Sequence, residues 1–140
     1  FARLLTIEGI PQALGSSVAG MSDNPLIILL IIMVFMIFIG TFAETFSQII
    51  ILTPIFLPVV TQLGVHPIHF GVLFVVAAEI GFLTPPFGAN LFVGMKISRI
   101  SLIAISKSVL PFILTYIIVM IILILFPEIS LVLPRLVFGI

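Results

Sequence analysis

The chain has 140 residues, 62% of them hydrophobic and only 7% charged, with no formal net charge and a mean hydropathy of +1.53. Five basic and five acidic side chains cannot clothe a water-facing surface, because soluble domains run near 25% charged, so the composition defines an integral membrane protein. It gives no footing for nucleic-acid binding, and the absence of cysteine excludes a disulfide framework or a thiolate metal site.

Residues 1–24 form a leader in which Phe1, Leu4, Leu5, Ile10 and Leu14 line one side of a short helix, broken at Gly9-Ile10-Pro11. Such a segment is expected as an amphipathic arm or linker along the membrane surface. It begins at Phe1 with no charged n-region, apolar h-region or cleavage site, and reads as an internal junction in a longer protein. SDNP (Ser22 to Pro25) then supplies a capping side chain followed by proline, a helix start.

From Pro25 to Val60 the single charge is Glu44. One helix of that length would measure about 54 Å against a hydrocarbon core of about 30 Å, so it must be interrupted, and GTFAET (Gly40 to Thr45) is the natural place. The two arms, about 23 Å each, fit a re-entrant hairpin over 25–60 with its tip near 40–45. Two short tilted spans are the competing reading. TQLGVHP (Thr61 to Pro67) is a polar turn, with Gly64 suited to a helix end and Pro67 to a helix start.

A discontinuous helix is expected over 68–99, in halves 68–83 and 87–99 joined through Thr84-Pro85-Pro86. The prolines lack N–H groups, and Pro85 disfavours helical geometry at Thr84, so carbonyls just upstream lose their usual partners. Residues 96–108 hold Lys96, Arg99 and Lys107 and no acid, which the positive-inside rule places in the cytoplasm. Residues 109–126 are expected as a transmembrane helix, and 127–140 as a proline-broken tail ending outside.

Glu44 and Glu79 are the two carboxylates inside these apolar segments. An ionisable group at membrane depth costs roughly 2.5–3.5 kcal/mol on insertion scales and usually faces a cavity, a partner or an ion. Each has small or oxygen-bearing neighbours at a predicted helix break. Around Glu44 are Gly40, Thr41, Thr45, Ser47 and Gln48; around Glu79 are Gly81, Thr84, Pro85, Pro86, Gly88 and Asn90. Irregular backbone at such depth survives only against protein or a watery cavity. There, freed oxygens can coordinate Na⁺, and half-helix N-termini can meet an anion, as in secondary transporters. His66 and His69 stand three apart, but with no third ligand near in sequence they make no transition-metal motif. There is no phosphate-binding loop and no nucleophile elbow, so ATP coupling and hydrolysis have no support and the chain does not read as an enzyme.

ILTPIFLPVVTQLGVHPIHFGVLFVVAAEIGFLTPPFGANLFV (Ile51 to Val93) closely resembles the C-terminal part of the large membrane subunit of TRAP transporters, the DctM-like permeases. With GTFAET upstream, the resemblance covers about residues 25–126. It implies sodium-coupled uptake of an organic acid anion, of the C4-dicarboxylate or sialic acid class, across the bacterial inner membrane. A DctP-like periplasmic binding protein would deliver the substrate to a membrane complex of a DctQ-like small subunit and the large one, in some members fused. The fold implied is all-α and elevator-type, built from two inverted repeats, of which this chain is most of the second. Carried over by position, Gly40, Thr41, Thr45, Gly81, Leu83 and Thr84 would surround sodium. Glu44, Ser47, Gly88 and Asn90 would meet the substrate, Pro85 and Pro86 would shape the break, and Glu79 would support the ion site. No cofactor is implied beyond Na⁺ as coupling ion. A sodium–carboxylate carrier without a binding protein, and a non-transporting structural subunit, are the alternatives.

Overall fold

The computed structural model describes residues 7–9, 13, 17 and 24–139, so the expected arm over 1–24 falls almost wholly outside the described residues. Six helices follow in chain order: α1 Pro25–Gly40, α2 Thr45–Gln62, α3 Pro67–Leu83, α4 Ala89–Ser98, α5 Leu102–Leu125 and α6 Glu128–Phe138. No strand is present among the described residues.

Local chemistry accounts for the helix starts. The Asn24 side chain accepts from the Leu26 N–H at 2.9 Å, with Pro25 in the first turn, where its missing N–H costs nothing. Glu44 caps α2 in the same manner, accepting from the Phe46 N–H at 2.8 Å. His66 Nδ1 accepts from the Ile68 N–H ahead of α3, and the Ser101 hydroxyl from the Ala104 N–H ahead of α5. His66 is thus occupied at a helix entry.

Helix α3 is the axis of the fold and packs against α1, α2, α4, α5 and α6, most extensively against α1. Its buried face is Phe70, Leu73, Phe74, Ala77 and Ile80, at helical spacing. This face meets Ile28, Ile32, Met33 and Met36 of α1, Leu52, Phe56 and Val60 of α2, and Ile113, Met120 and Ile124 of α5. The exterior is the reverse of a soluble protein's. Leu30, Val34, Phe38, Phe46, Phe92, Ile103, Phe112 and Leu114 are all exposed, an apolar exterior of the kind that faces lipid. Helices α2 and α5 are each long and apolar enough to cross a membrane, at 18 and 24 residues. This is a membrane protein.

Helices α1 and α3 run parallel. Their N-terminal ends meet around a pocket of about 420 Å³ lined by Pro25, Leu26, Val65, His66 and His69. Their C-terminal ends converge at Gly40 and Gly81. A Cβ added to Gly81 would collide with the Ile37 carbonyl and stand 2.6 Å from the Gly40 Cα. One added to Gly40 would stand 3.0 Å from both the Ala78 carbonyl and the Gly81 Cα. Two backbones approach this closely only where neither residue carries a side chain.

Three boundaries differ from the sequence expectation. Helix α5 begins at Leu102 rather than 109, so the basic loop shrinks to 99–101. Arg99 closes α4 in a left-handed conformation, φ 57°, and Ser101 caps the next helix, while Lys96 lies in the last turn of α4 and Lys107 within α5. Polarity had suggested a loop, but a capped helix tolerates polar residues wherever they face out; the Ser108 hydroxyl, for example, donates to the Ala104 carbonyl. The second half of the broken helix starts at Ala89, after Gly88, rather than at 87. The expected tail is instead largely helix α6, with Pro134 inside it, an ion pair between Glu128 and Arg135, and a link to α3 through His69 and Ser130.

The glycine crossing gives a paired test on the complete permease in detergent. Gly81→Ala is expected to lose about 1–3 kcal/mol of stability by overpacking. Gly71→Ala lies on the same helix with nothing within 4 Å of the added carbon, and is expected to be neutral or to gain up to about 1 kcal/mol. Thermal melting of the two variants beside the parent checks both.

Candidate functional site at the hairpin tip and helix break

The tip between α1 and α2 and the break between α3 and α4 lie side by side, because α1 and α3 start together and have nearly equal lengths, 16 and 17 residues. The Thr45 hydroxyl, in the first turn of α2, donates to Glu79 Oε1 at 3.0 Å and ties tip to break across 34 residues of sequence. Glu79 is half-buried, and this bond gives its carboxylate a fixed orientation toward α2.

Helix α3 ends because of its prolines. Thr84 is extended at φ −86° and ψ 125°, as the residue before a proline prefers. Its N–H donates to the Gly81 carbonyl at 2.9 Å and its hydroxyl to the Ile80 carbonyl at 2.5 Å. Thr84 therefore satisfies two of the carbonyls that the break would orphan, and its hydroxyl lone pairs remain available. In an unbroken helix the Phe82 carbonyl would accept from residue 86, but Pro86 has no N–H to give. That carbonyl was not singled out from the sequence; counting four residues back from Pro86 would have found it. The Pro85–Pro86 peptide bond is cis, and Gly88 then donates its N–H to the Thr84 carbonyl at 3.0 Å. A Cβ on Gly88 would lie 2.7 Å from the Phe82 carbonyl oxygen, so only glycine fits this turn. Helix α4 starts beyond it with no side-chain cap, leaving N–H groups of its first turn for a ligand or water.

A pocket of about 500 Å³ opens where the two irregular segments meet, lined by Phe38, Thr41, Phe42, Thr84, Pro85, Pro86 and Phe87 among others. The Phe42 and Phe87 rings meet across the gap at a tilt of 33°, with centroids 4.9 Å apart. Thr41 and Thr84 thus share the pocket lining, while Gly40 meets Gly81 and Thr45 bonds Glu79 where the tip and α3 pack together. Leu83 is half-buried at the end of α3.

Glu44, Ser47 and Asn90 stand outside that pocket lining. Glu44 is exposed and spends both oxygens on its own helix, accepting from the Phe46 N–H and, at 3.2 Å, from the Ser47 hydroxyl. Asn90 is exposed in the first turn of α4. The two acids singled out from the sequence therefore differ in kind: one caps a helix, the other bridges two. His69 donates from Nδ1 to Ser130, whose own hydroxyl donates to the Pro127 carbonyl, an assignment that follows from the hydrogen-bond network. No group of three His, Cys, Asp or Glu side chains able to hold a metal occurs among the described residues.

Two helices joined by a tight tip, packed through glycine against a proline-interrupted helix and presenting an apolar exterior, define an all-helical membrane protein. The family model for the tripartite ATP-independent periplasmic transporter DctM component matches residues 1–129, and the chain belongs to that family. It is 36% identical over 139 residues to the sialic acid TRAP transporter large permease protein SiaM of Vibrio cholerae, covering 99% of this chain and 33% of that protein. It is 40% identical over 135 residues to the C4-dicarboxylate large permease protein DctM of Pseudomonas aeruginosa, covering 96% and 32%. Against the isethionate permease protein DctMQ of Oleidesulfovibrio alaskensis the identity is 44% over 113 residues, covering 81% and 18%. The chain therefore spans a third or less of the length of these relatives.

The capping geometry of Glu44 yields a test that separates it from Glu79. Glu44→Ala is expected to cost about 1 kcal/mol of stability, and Glu44→Ser, a good cap, to restore it. Melting temperatures of the complete permease carrying each substitution measure the effect.

Proposed function

We propose that the chain is the part of a large permease subunit that carries one hairpin and one discontinuous helix of a sodium-coupled carrier for organic acid anions. The observation that carries this reading is the meeting of tip and break at one level, tied by Thr45 to Glu79 and bordered by Thr41 and Thr84. Oxygens held there by folded backbone suit a small hard cation, and the uncapped start of α4 suits the negative end of a substrate. Thr41, Thr45, Thr84 and the carbonyls of Gly81 and Leu83 are the proposed sodium contacts, within a frame set by Gly40, Pro85 and Pro86. Gly88 and Asn90 at the start of α4 are the proposed substrate contacts, together with Glu44 and Ser47 at the start of α2.

Helix lengths support a re-entrant embedding of the hairpin. Helix α1 covers about 24 Å, α3 about 26 Å and α4 a further 15 Å, while α5 runs back for about 36 Å beside α3 and α4. Tip and break then lie part-way through the layer that α5 crosses whole, as alternating access about a buried site requires. In the proposed assembly the rest of the permease supplies the inverted counterpart repeat, and an elevator movement carries the joint site across the inner membrane. A small DctQ-like subunit and a DctP-like periplasmic binding protein complete the system. The basic segment around Lys96, Arg99 and Lys107 faces the cytoplasm, and the end of the chain faces the periplasm. Sialic acid, C4-dicarboxylates and isethionate, the substrates in the relatives' names, are all organic anions, and the proposed substrate belongs to that class.

The test is uptake of a panel of organic acids by the complete complex in proteoliposomes. Uptake is expected only with an inward sodium gradient and the binding protein present, and sodium-independent uptake would overturn the coupling. Thr84→Val keeps the side-chain shape and removes the hydroxyl. It is expected to lower sodium-driven uptake by at least about tenfold, the scale of one hydrogen bond to a charged group.

A further inference from the structure

Gln48 is one of two buried polar side chains among the described residues, only 1% exposed, in the first turn of α2. Its Nε2 donates to the Ala43 carbonyl at 3.0 Å, five residues back, just before the cap of α2. Of the two ends of the amide only the NH₂ can donate to a carbonyl, so this bond fixes which way the amide faces, and Oε1 must point elsewhere. That oxygen is buried and has no hydrogen-bond partner among the described residues. The amide also lies against the glycine crossing, since a Cβ on Gly40 would sit 3.4 Å from Gln48 Nε2. Thr45, three residues earlier in the same turn of helix, holds Glu79 of α3.

A buried, unpaired amide oxygen costs free energy that an apolar side chain of the same shape would avoid. Stability alone therefore does not explain Gln48. We infer that Gln48 is a positioning residue for the cation site: its amide clamps the tip turn onto the first turn of α2 through the Ala43 carbonyl and holds Thr41 and Thr45 in register with the helix break. This rests on the sodium-coupled reading above. Gln48 acts through the backbone of the tip, upstream of any ligand contact. Without the clamp, the segment 41–44 is free to sample other turns, and a cation must then restore order as it binds, which lowers its affinity.

The variant that tests this is Gln48→Met in the complete permease complex, because Met fills a similar volume without the amide. The expected result is a rise of about fivefold in the sodium concentration for half-maximal uptake, the fold-change of one neutral hydrogen bond. The maximal rate is expected to stay close to the parent's and the melting temperature to stay equal or rise. Amide hydrogen exchange over residues 41–48 is expected to accelerate while that of α3 stays unchanged. Opposite signs in stability and sodium affinity distinguish positioning from packing, which would lower both together. A parent complex indifferent to sodium sinks the transport reading itself. A sodium-driven parent whose Gln48→Met variant keeps its sodium dependence and tip exchange, or simply loses stability, overturns the role of Gln48 alone.

Discussion

Two glycines in contact set the geometry of this protein. Gly40 ends α1 and Gly81 lies two residues before the end of α3, and the backbones touch because neither carries a side chain. A helix pair with larger residues at the contact packs at 8–10 Å between axes, which would move the tip away from the break. With the crossing closed, Thr45 reaches Glu79, Thr41 shares a pocket with Thr84, and Phe42 meets Phe87. Each of these contacts joins the tip region to the region of the break, so each depends on the crossing for its distance.

The second constraint is the accounting of backbone hydrogen bonds where helices stop inside an apolar exterior. An unpaired carbonyl or N–H in such surroundings costs several kcal/mol, so irregular backbone must be satisfied internally or by a ligand. Thr84 serves that need twice over, through its own N–H and its hydroxyl, and Gly88 returns a donor to the Thr84 carbonyl. The Phe82 carbonyl, opposite a proline, and the uncapped start of α4 are the groups this local economy leaves over. In the proposed carrier the Phe82 carbonyl lies between the two carbonyls proposed for sodium, and the uncapped start of α4 is the group proposed for the anion. In that proposal the same prolines that end the helix would also supply the site, and an apolar exterior that excludes water would strengthen its electrostatics.

Much of the chain could be read from residue types with local meaning. SDNP and HP mark helix starts because a capping side chain and a proline suit the first turn, and α1 and α3 begin there. The Thr-Pro-Pro run marks a helix end because the physics of proline is local, and α3 stops at Leu83. The start of α5 was less legible, since polarity reports exposure rather than helicity and Ser101 caps a helix whose first turns are polar. The tail, too short to cross again, is largely helical, with Pro134 inside α6. At the site, Glu44 and Glu79 looked alike, and nothing in their own neighbourhoods told a cap from a bridge.

Composition determined that the protein belongs in a bilayer, and proline, glycine and capping residues determined where its helices break, because these effects act within a few residues of their cause. Which break meets which was decided only in three dimensions. The Gly40–Gly81 contact spans 41 positions, and the Thr45–Glu79 bond spans 34. Gln48, an ordinary polar residue in the string, is buried in the fold and bonded to the Ala43 carbonyl. Burial and partnership between distant segments follow from how helices pack, and packing is settled by the whole set of contacting side chains at once.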